Sequence, residues 1–399
     1  MPKRNKNIAF LQDGYLFPEI AKRKRGFMLT HKDAKLISLG VGNTTEPVMP
    51  HICAALVEGA ARLGNIETYS GYMDEGLSEL REKINNVYYK GKFKLNEIFI
   101  SDGAKCDIGR IQILFGPEAA PFVQDPSYPV YVDGSVMAGA ASSGREWGYE
   151  GISYLPCTPE NSYFPDLSVI KQDSLIYFCS PNNPTGAVAT YDELHVLVKR
   201  AIETNSIIIF DASYCEYIHD KGLPRSIYDI HGAERCAIEI NSFSKSAGFT
   251  GVRLGWSVVP HALKFSGGES VNSDWARVQS TIFNGASNIA QFGALAALDP
   301  RGLAEINTLT SYYLRNAEII RCALEGRGIN CTGGKNAPYI WARFPEQNSW
   351  AVFERILEKC HVVTTPGSGF GPAGENFIRF SAFGHRADIE EAAKRLIRM

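Results

Sequence analysis

Short apolar runs alternate with helical patterns across the middle of the chain. Each apolar run leads into a polar, turn-rich segment; in chain order the runs are NEIFIS, APFVQD, DSLIYFC, NSIIIFD, RCAIEIN and VRLGWSVVP. Between the first two runs, CDIGRIQILF has the spacing of a helix. Runs this apolar predict strands that are buried on both faces, as in a mostly parallel sheet with helices on each side.

The pattern changes after about residue 296. A long helical stretch, GLAEINTLTSYYLRNAEIIRCALEGRG, is followed by short apolar runs near YIWARF, HVVTTPG and NFIRFSAFG, which predicts a smaller α+β unit. We therefore expect a large domain over residues 48–295 and a small domain over residues 296–399, to which an N-terminal arm, residues 1–47, contributes.

Composition and charge exclude several classes of protein. Among 399 residues, 45% are hydrophobic and 21% are charged, as in ordinary globular proteins, and 41 Lys and Arg against 43 Asp and Glu give a formal net charge of −2. This balance indicates neither a nucleic-acid binder nor a membrane binder. Nine cysteines without a C-x-x-C pair are typical of a reducing compartment.

Targeting signals and common cofactor motifs are also missing from the sequence. No apolar run approaches the roughly 20 residues that a membrane span needs, and the N-terminus lacks a signal-peptide pattern. We expect a cytoplasmic protein, or one of the plastid stroma if a transit peptide has been removed. GVGNTTEP lacks the third glycine of a dinucleotide fingerprint, and no Walker A or H-E-x-x-H motif occurs. The eight histidines are scattered, so we expect no metal site.

The stretch NSFSKSAGFTGVRLGW, residues 241–256, follows one of the apolar runs. The hydroxyls of Ser242 and Ser244, the guanidinium of Arg253 and the glycine-rich backbone suit a phosphate group. Lys245 beside that phosphate is either a second counter-charge or an amine that forms a Schiff base. The alternative is a glycine-rich surface loop with a solvated lysine.

Polar residues also follow the other predicted strands, at the sheet edge where ligands bind in open α/β folds. A buried Asp211 needs a partner, and a protonated pyridine nitrogen is one. Tyr214 and Asn183 suit a ring hydroxyl, and Tyr128 suits the face of a flat ring. SDGAK, residues 101–105, opens a helix whose N-terminus suits phosphate. Taken singly, each has an ordinary structural explanation: a salt bridge, core aromatics and a turn residue.

These motifs resemble a known family. SPNNPTG, DASY, SFSK and RLGW resemble the fold-type-I, pyridoxal-phosphate-dependent aminotransferases over most of residues 36–385. YLFPEI, NTTEP, SGYMDEGLSELR, FISDGAK, QDPSYPVY, FNGASNIAQ, NAPYIW and PGSGFGPAGENFIRFS resemble the LL-diaminopimelate aminotransferase family in particular. One departure is Asn43, where that family usually has Asp.

The resemblance implies the cofactor pyridoxal 5′-phosphate and a role for each matching residue. Lys245 is the Schiff-base lysine and proton carrier, Asp211 pairs with the pyridine nitrogen, and Tyr214 contacts the ring oxygen; these three are the implied catalytic residues. The implied cofactor-binding set adds Tyr72, Ala104, Lys105, Tyr128, Asn183, Ser242, Ser244, Arg253 and Asn284. The implied substrate-binding set is Tyr15, Gly42, Glu75, Lys105, Tyr128, Asn183, Asn284 and Arg379, with Arg379 clamping the α-carboxylate.

The resemblance also implies a homodimer, because Tyr72 reaches the site of the neighbouring subunit. The implied reaction interconverts LL-2,6-diaminopimelate and 2-oxoglutarate with tetrahydrodipicolinate and L-glutamate. Lys105 and Glu75 suit the carboxylate and ammonium at the far end of diaminopimelate. Three alternatives stay open: a lysine α-aminotransferase of the plant defence type, a lyase of the same fold, and a transcription regulator. A regulator needs a DNA-binding domain, and no helix-turn-helix pattern precedes the family match.

Overall fold

The computed structural model describes residues 1–11, 16–141, 148–345 and 347–399. The strands of this described part are β1 (Ile37–Ser38), β2 (Ile98–Ser101), β3 (Pro121–Asp125), β4 (Ser153–Pro156), β5 (Leu175–Cys179), β6 (Ile207–Asp211), β7 (Ala237–Ser242), β8 (Gly255–Val258), β9 (Cys331–Gly333), β10 (Tyr339–Arg343), β11 (Val362–Val363), β12 (Thr365–Pro366) and β13 (Phe377–Ser381). Most of the predicted strands are therefore present, each a little shorter than its apolar run.

The α-helices of the same residues begin and end as follows: α1 (Leu16–Thr30), α2 (Pro50–Arg62), α3 (Ser78–Tyr89), α4 (Ala104–Phe115), α5 (Val130–Ala138), α6 (Tyr191–Glu203), α7 (Phe243–Ser246), α8 (Val271–Ile282), α9 (Asn288–Ala297), α10 (Pro300–Glu325), α11 (Ser349–Cys360) and α12 (Arg386–Ile397). Their ends carry ordinary capping signals. Thr190, for example, caps α6 by accepting from the N–H of Glu193, whose carboxylate accepts from the N–H of Thr190 in return.

A seven-stranded sheet has the order β2-β8-β7-β6-β5-β3-β4, and only β8 runs antiparallel to its neighbours. In β6, Ile208 and Phe210 pack into the core on one face, while Ile207 and Ile209 pack into the core on the other. Both faces are thus covered, which explains why the strand is apolar at successive positions. The predicted fold class, a mostly parallel sheet with helices on both faces, is confirmed.

A second, antiparallel sheet has the order β12-β13-β10-β9, and β1 pairs with β11 beside it. Its core includes Trp341 and Phe380 together with Leu16 and Phe27 of α1. The N-terminal segment therefore packs against the smaller sheet. No helix in the described ranges is long and apolar enough to cross a membrane.

Parallel strands bring their carboxyl ends to one edge of the larger sheet. Asp211 ends β6, Ser242 ends β7, and Asn183 follows β5 by four residues. Strand β2 runs in the same direction, because both it and β7 are antiparallel to β8, so the start of α4 lies at this edge too. The topology therefore gathers the polar motifs of distant parts of the sequence.

Candidate active site

A cavity of about 300 Å³ opens at the carboxyl edge of the larger sheet. Twelve of the residues singled out from the sequence line it: Gly42, Ala104, Lys105, Tyr128, Asn183, Asp211, Tyr214, Ser242, Ser244, Lys245, Arg253 and Arg379. The remaining lining comes from Phe17, Val41, Ile108, Tyr131, Ser213 and Tyr339, which sequence reasoning missed.

Lys245 lies in the short helix α7, whose start is fixed by the side chain of Ser242, which accepts from the N–H of Ser244 at 3.0 Å. The side chain of Lys245 is half-buried and donates to the carbonyl oxygen of Gly42. Burial, and then the positive charges of Arg379 and Arg253, lower the pKa of Lys245 to about 8. The amine can therefore lose its proton close to neutral pH.

Asp211 is buried at the end of β6 and accepts two hydrogen bonds. The hydroxyl of Tyr131 donates to Oδ2 at 2.7 Å, and the backbone N–H of Ser213 donates to Oδ1 at 3.0 Å. Burial raises the pKa of Tyr131 well above its ordinary value, so the phenol keeps its proton and acts as the donor. The carboxylate is thus held in one orientation at the cavity wall.

Donors for an anion lie at the start of α4. Arg253 donates from Nη1 to Oγ of Ser244 at 3.2 Å and to the carbonyl of Thr250 at 3.3 Å. Its backbone is left-handed, with φ +69°, and its guanidinium is pressed against Gly103, where an added Cβ would lie 2.4 Å from Nη2. Gly103 has φ +121°, which favours glycine, and a side chain there would also crowd the Arg253 guanidinium beside the start of α4.

Arg379 is buried in β13 with its guanidinium at the cavity. Nη1 donates to Oδ1 of Asn183 at 2.7 Å, and Nη2 donates to the carbonyl of Gly40 at 2.7 Å. Nε has no hydrogen-bond partner within the described residues. The Arg379 guanidinium thus joins the two sheets at the cavity, because Asn183 follows the larger sheet and Arg379 belongs to the smaller one.

Two hydroxyls meet next to Arg379. The hydroxyl oxygens of Tyr214 and Tyr339 are 2.9 Å apart, and the Arg379 guanidinium carbon lies 4.4 Å from the centroid of the Tyr339 ring. Tyr339 lies in NAPYIW, one of the strings that resemble the family, but nothing in the sequence indicated a role for this tyrosine. Tyr131 lies near the start of α5, and its N–H donates to the carbonyl of Tyr128 at 3.2 Å. Its position three residues after Tyr128 was the available signal for it.

Three of the predicted residues lie away from this cavity. Tyr72 is 84% exposed, Asn284 is exposed, and Glu75 is exposed and paired with Arg81 at 2.9 Å. None of the three lines the cavity of its own chain. Tyr15 lies outside the described residues. Across the part of the chain that the structure describes, no cluster of three potential metal ligands occurs.

Comparisons with known proteins bear on this arrangement. The model of the family "Aminotransferase class I and II" matches residues 34–396. LL-diaminopimelate aminotransferase of Protochlamydia amoebophila (strain UWE25) is 51% identical over an alignment of 401 positions that covers 99% of this chain and 97% of the relative. The chloroplastic LL-diaminopimelate aminotransferase of Arabidopsis thaliana is 52% identical over 98% of this chain and 86% of the relative. A solved L,L-diaminopimelate aminotransferase from Chlamydomonas reinhardtii superposes with a TM-score of 0.95 at 52% identity, covering 99% of this chain and 98% of that one.

Proposed function

This chain belongs to the class I and II aminotransferases, and we propose that it is an LL-diaminopimelate aminotransferase. It interconverts LL-2,6-diaminopimelate and 2-oxoglutarate with tetrahydrodipicolinate and L-glutamate, a reaction of lysine biosynthesis. The observation that carries this assignment is the 51–52% identity to enzymes of that name along nearly the whole chain. The same relatives favour diaminopimelate over lysine as the amino donor.

The cofactor of this family, pyridoxal 5′-phosphate, fits the donors that line the cavity. The start of α4, Ser244 and Arg253 offer donors and positive charge for its phosphate, and the buried Asp211 offers a carboxylate for its ring nitrogen. Asn183 and Tyr214 would hold the ring oxygen. When bound, the cofactor supplies an electron sink for negative charge at the substrate's α-carbon.

The remaining chemistry belongs to the side chains of the protein. We assign to Lys245 Nζ the transfer of the proton that leaves and re-enters the α-carbon. Burial and the neighbouring arginines lower its pKa to about 8, so this amine can lose its own proton close to neutral pH. Arg379 binds the α-carboxylate, and the burial of its guanidinium strengthens that pair by excluding water.

The exposed positions of Tyr72, Glu75 and Asn284 support a homodimer with shared sites. Exposed side chains that do not line the cavity of their own chain are available to the cavity of a second copy. In this proposal Tyr72 and Asn284 contact the cofactor of the partner, and Glu75 receives the distal ammonium of diaminopimelate while Lys105 receives the distal carboxylate. The Glu75–Arg81 ion pair then has to rearrange, because it occupies the Glu75 carboxylate.

A half-reaction titration tests the proposed function. The absorbance of the bound cofactor is followed, without a keto acid, as LL-diaminopimelate, meso-diaminopimelate, lysine or glutamate is added. We expect LL-diaminopimelate and glutamate to convert the cofactor to its amino form, while lysine leaves it unchanged. Conversion by lysine but not by LL-diaminopimelate would refute the substrate assignment and leave the aminotransferase assignment intact.

A further inference from the structure

Tyr339 stands at the contact between the two sheets. It is the first residue of β10, faces Ser381 across the pairing with β13, and is 1% exposed although it lines the cavity. A buried tyrosine contributes an apolar body and one hydroxyl that needs a partner. The ring contacts Arg379 and the hydroxyl contacts Tyr214, and both of these residues have roles in the proposed function.

The face of the Tyr339 ring supports the guanidinium of Arg379. The guanidinium carbon lies 4.4 Å from the ring centroid, well within the range of a cation–π contact, and Phe370 flanks it at 4.8 Å. Asn183 and Gly40 accept from the two terminal nitrogens of Arg379. The hydrogen bonds fix the guanidinium within its plane, and the aromatic rings limit its movement out of that plane.

The hydroxyl of Tyr339 serves a second group. It lies 2.9 Å from the Tyr214 hydroxyl, and the two rings meet edge to face at 5.3 Å. Once the proton of Tyr214 points to the ring oxygen of the cofactor, the Tyr339 hydroxyl is the donor to the Tyr214 oxygen. Gly42 packs directly against the Tyr339 hydroxyl, since an added Cβ at Gly42 would lie 2.6 Å from the hydroxyl oxygen.

We propose that Tyr339 is a positioning residue that sets two groups at once: its ring orients Arg379 for the substrate carboxylate, and its hydroxyl orients Tyr214 toward the cofactor. The inference rests on the proposed function and deepens it. The charged and titratable groups that face Tyr339 include Arg379, Tyr214, Asp211, Cys179 and Tyr217. The two tasks belong to different parts of one side chain, so two substitutions separate them.

The experiment compares the cofactor-loaded wild type with Tyr339→Phe and Tyr339→Leu. Two measurements need no turnover: the Kd of 2-oxoglutarate by calorimetry, which reports Arg379, and the pH midpoint of the cofactor absorbance, which reports Tyr214. Circular dichroism of the cofactor-free variants checks folding. Tyr163→Phe is the matched control, because it removes the hydroxyl of a half-buried tyrosine, which accepts from Thr332 at 3.1 Å outside the cavity.

Tyr339→Phe should keep the Kd of 2-oxoglutarate within about twofold and raise the pH midpoint by roughly half a unit, because it loses one hydrogen bond and keeps the ring. Tyr339→Leu should show the same rise and also weaken 2-oxoglutarate binding by roughly 3- to 30-fold, because the cation–π contact is lost. The inference is overturned if the Phe variant keeps the wild-type midpoint, or if a folded Leu variant keeps the wild-type Kd. Both readouts are independent of the identity of the amino donor, so a wrong substrate assignment would not imitate either failure.

Discussion

The hydroxyl of Tyr131 lies 2.7 Å from Oδ2 of Asp211, and both side chains are buried. The Tyr131 ring stacks on Tyr177 at 5.4 Å with an angle of 14° between the planes, which restricts its movement. Asp211 therefore has a fixed donor at one oxygen and the N–H of Ser213 at the other. A carboxylate held at both oxygens keeps one orientation, as a partner for a protonated ring nitrogen must.

Tyr131→Phe should therefore weaken the binding of pyridoxal 5′-phosphate. The loss of one hydrogen bond to a charged group should lower the affinity for the cofactor roughly 10-fold. The measurement is a fluorescence titration of the cofactor-free protein, with Tyr163→Phe again as the control. An unchanged cofactor Kd would mean that Ser213 alone is enough to orient Asp211.

Lys245→Ala should abolish turnover while leaving a protein that still binds the cofactor. Positioned proton transfer contributes about 10²- to 10⁴-fold to a rate, so at least that much should be lost. Single-turnover absorbance measures the rate, and the exposed Lys335→Ala serves as the control. Full activity in Lys245→Ala would show that Lys245 does not transfer the proton at the α-carbon.

Arg379→Lys should mainly raise the KM for the amino acid. Lysine retains the charge but cannot reproduce two parallel hydrogen bonds, so we expect a rise of roughly 10- to 100-fold with a smaller change in kcat. Steady-state kinetics with both substrates provides the test. If KM stays at the wild-type value, Arg379 does not bind the substrate carboxylate.

Mixing two inactive variants should restore activity if the sites are shared. In a mixed dimer of Lys245→Ala and Tyr72→Ala, one site carries both defects and the other carries neither. Random reassortment should then recover about a quarter of the wild-type activity. The assay is activity after refolding the two variants together, compared with each variant refolded alone. No recovery, with mixed dimers demonstrated by a tag on one variant, would show that Tyr72 serves its own chain.

Glu239 makes the stability of the fold depend on pH. It is 1% exposed within β7, and burial raises its pKa to about 7 although Ser226, Tyr89 and the N–H of Ile227 donate to it. The folded protein thus holds this proton more tightly than the unfolded chain does. The resulting stabilisation is complete below pH 4.5 and is lost as the pH rises to about 7.

Between pH 4.5 and pH 7.5, the titration of Glu239 should lower the free energy of unfolding of the wild type by about 3 kcal/mol. Glu239→Gln should lack this contribution, so its free energy of unfolding should fall by about 3 kcal/mol less. Urea unfolding at a fixed protomer concentration measures that fall, and the exposed Glu390→Gln is the control. The fall itself is the readout, because the amide also changes the hydrogen bonds at every pH. Equal falls in wild type and Glu239→Gln would show that Glu239 titrates normally.

The sequence was most informative where the residues of one strand are enough to indicate how that strand is buried. Strand β5 is apolar at every position, and β6 is apolar at every position before its last residue, Asp211, because both faces of these strands are covered. The strands and the type of sheet can therefore be predicted from the pattern. Most of the polar residues that end or follow those strands, such as Asp211 and Asn183, do line the cavity. Their individual roles stay predictions.

Contacts between distant elements could not be predicted from the sequence. Tyr131 lies 80 residues from Asp211, and Tyr339 lies 125 residues from Tyr214, so only the packing of α5 and of the smaller sheet brings each pair together. The shared site, the domain boundaries at residues 47 and 295 and the compartment also stay predictions.

The most direct test of the proposed function is the complete reaction. Glutamate formation from 2-oxoglutarate should be measured with LL-diaminopimelate and with lysine under identical conditions, and the two kcat/KM values compared. A site built to bind the distal carboxylate should favour LL-diaminopimelate by at least about 100-fold. A kcat/KM for lysine equal to or above that for LL-diaminopimelate would contradict the proposed function.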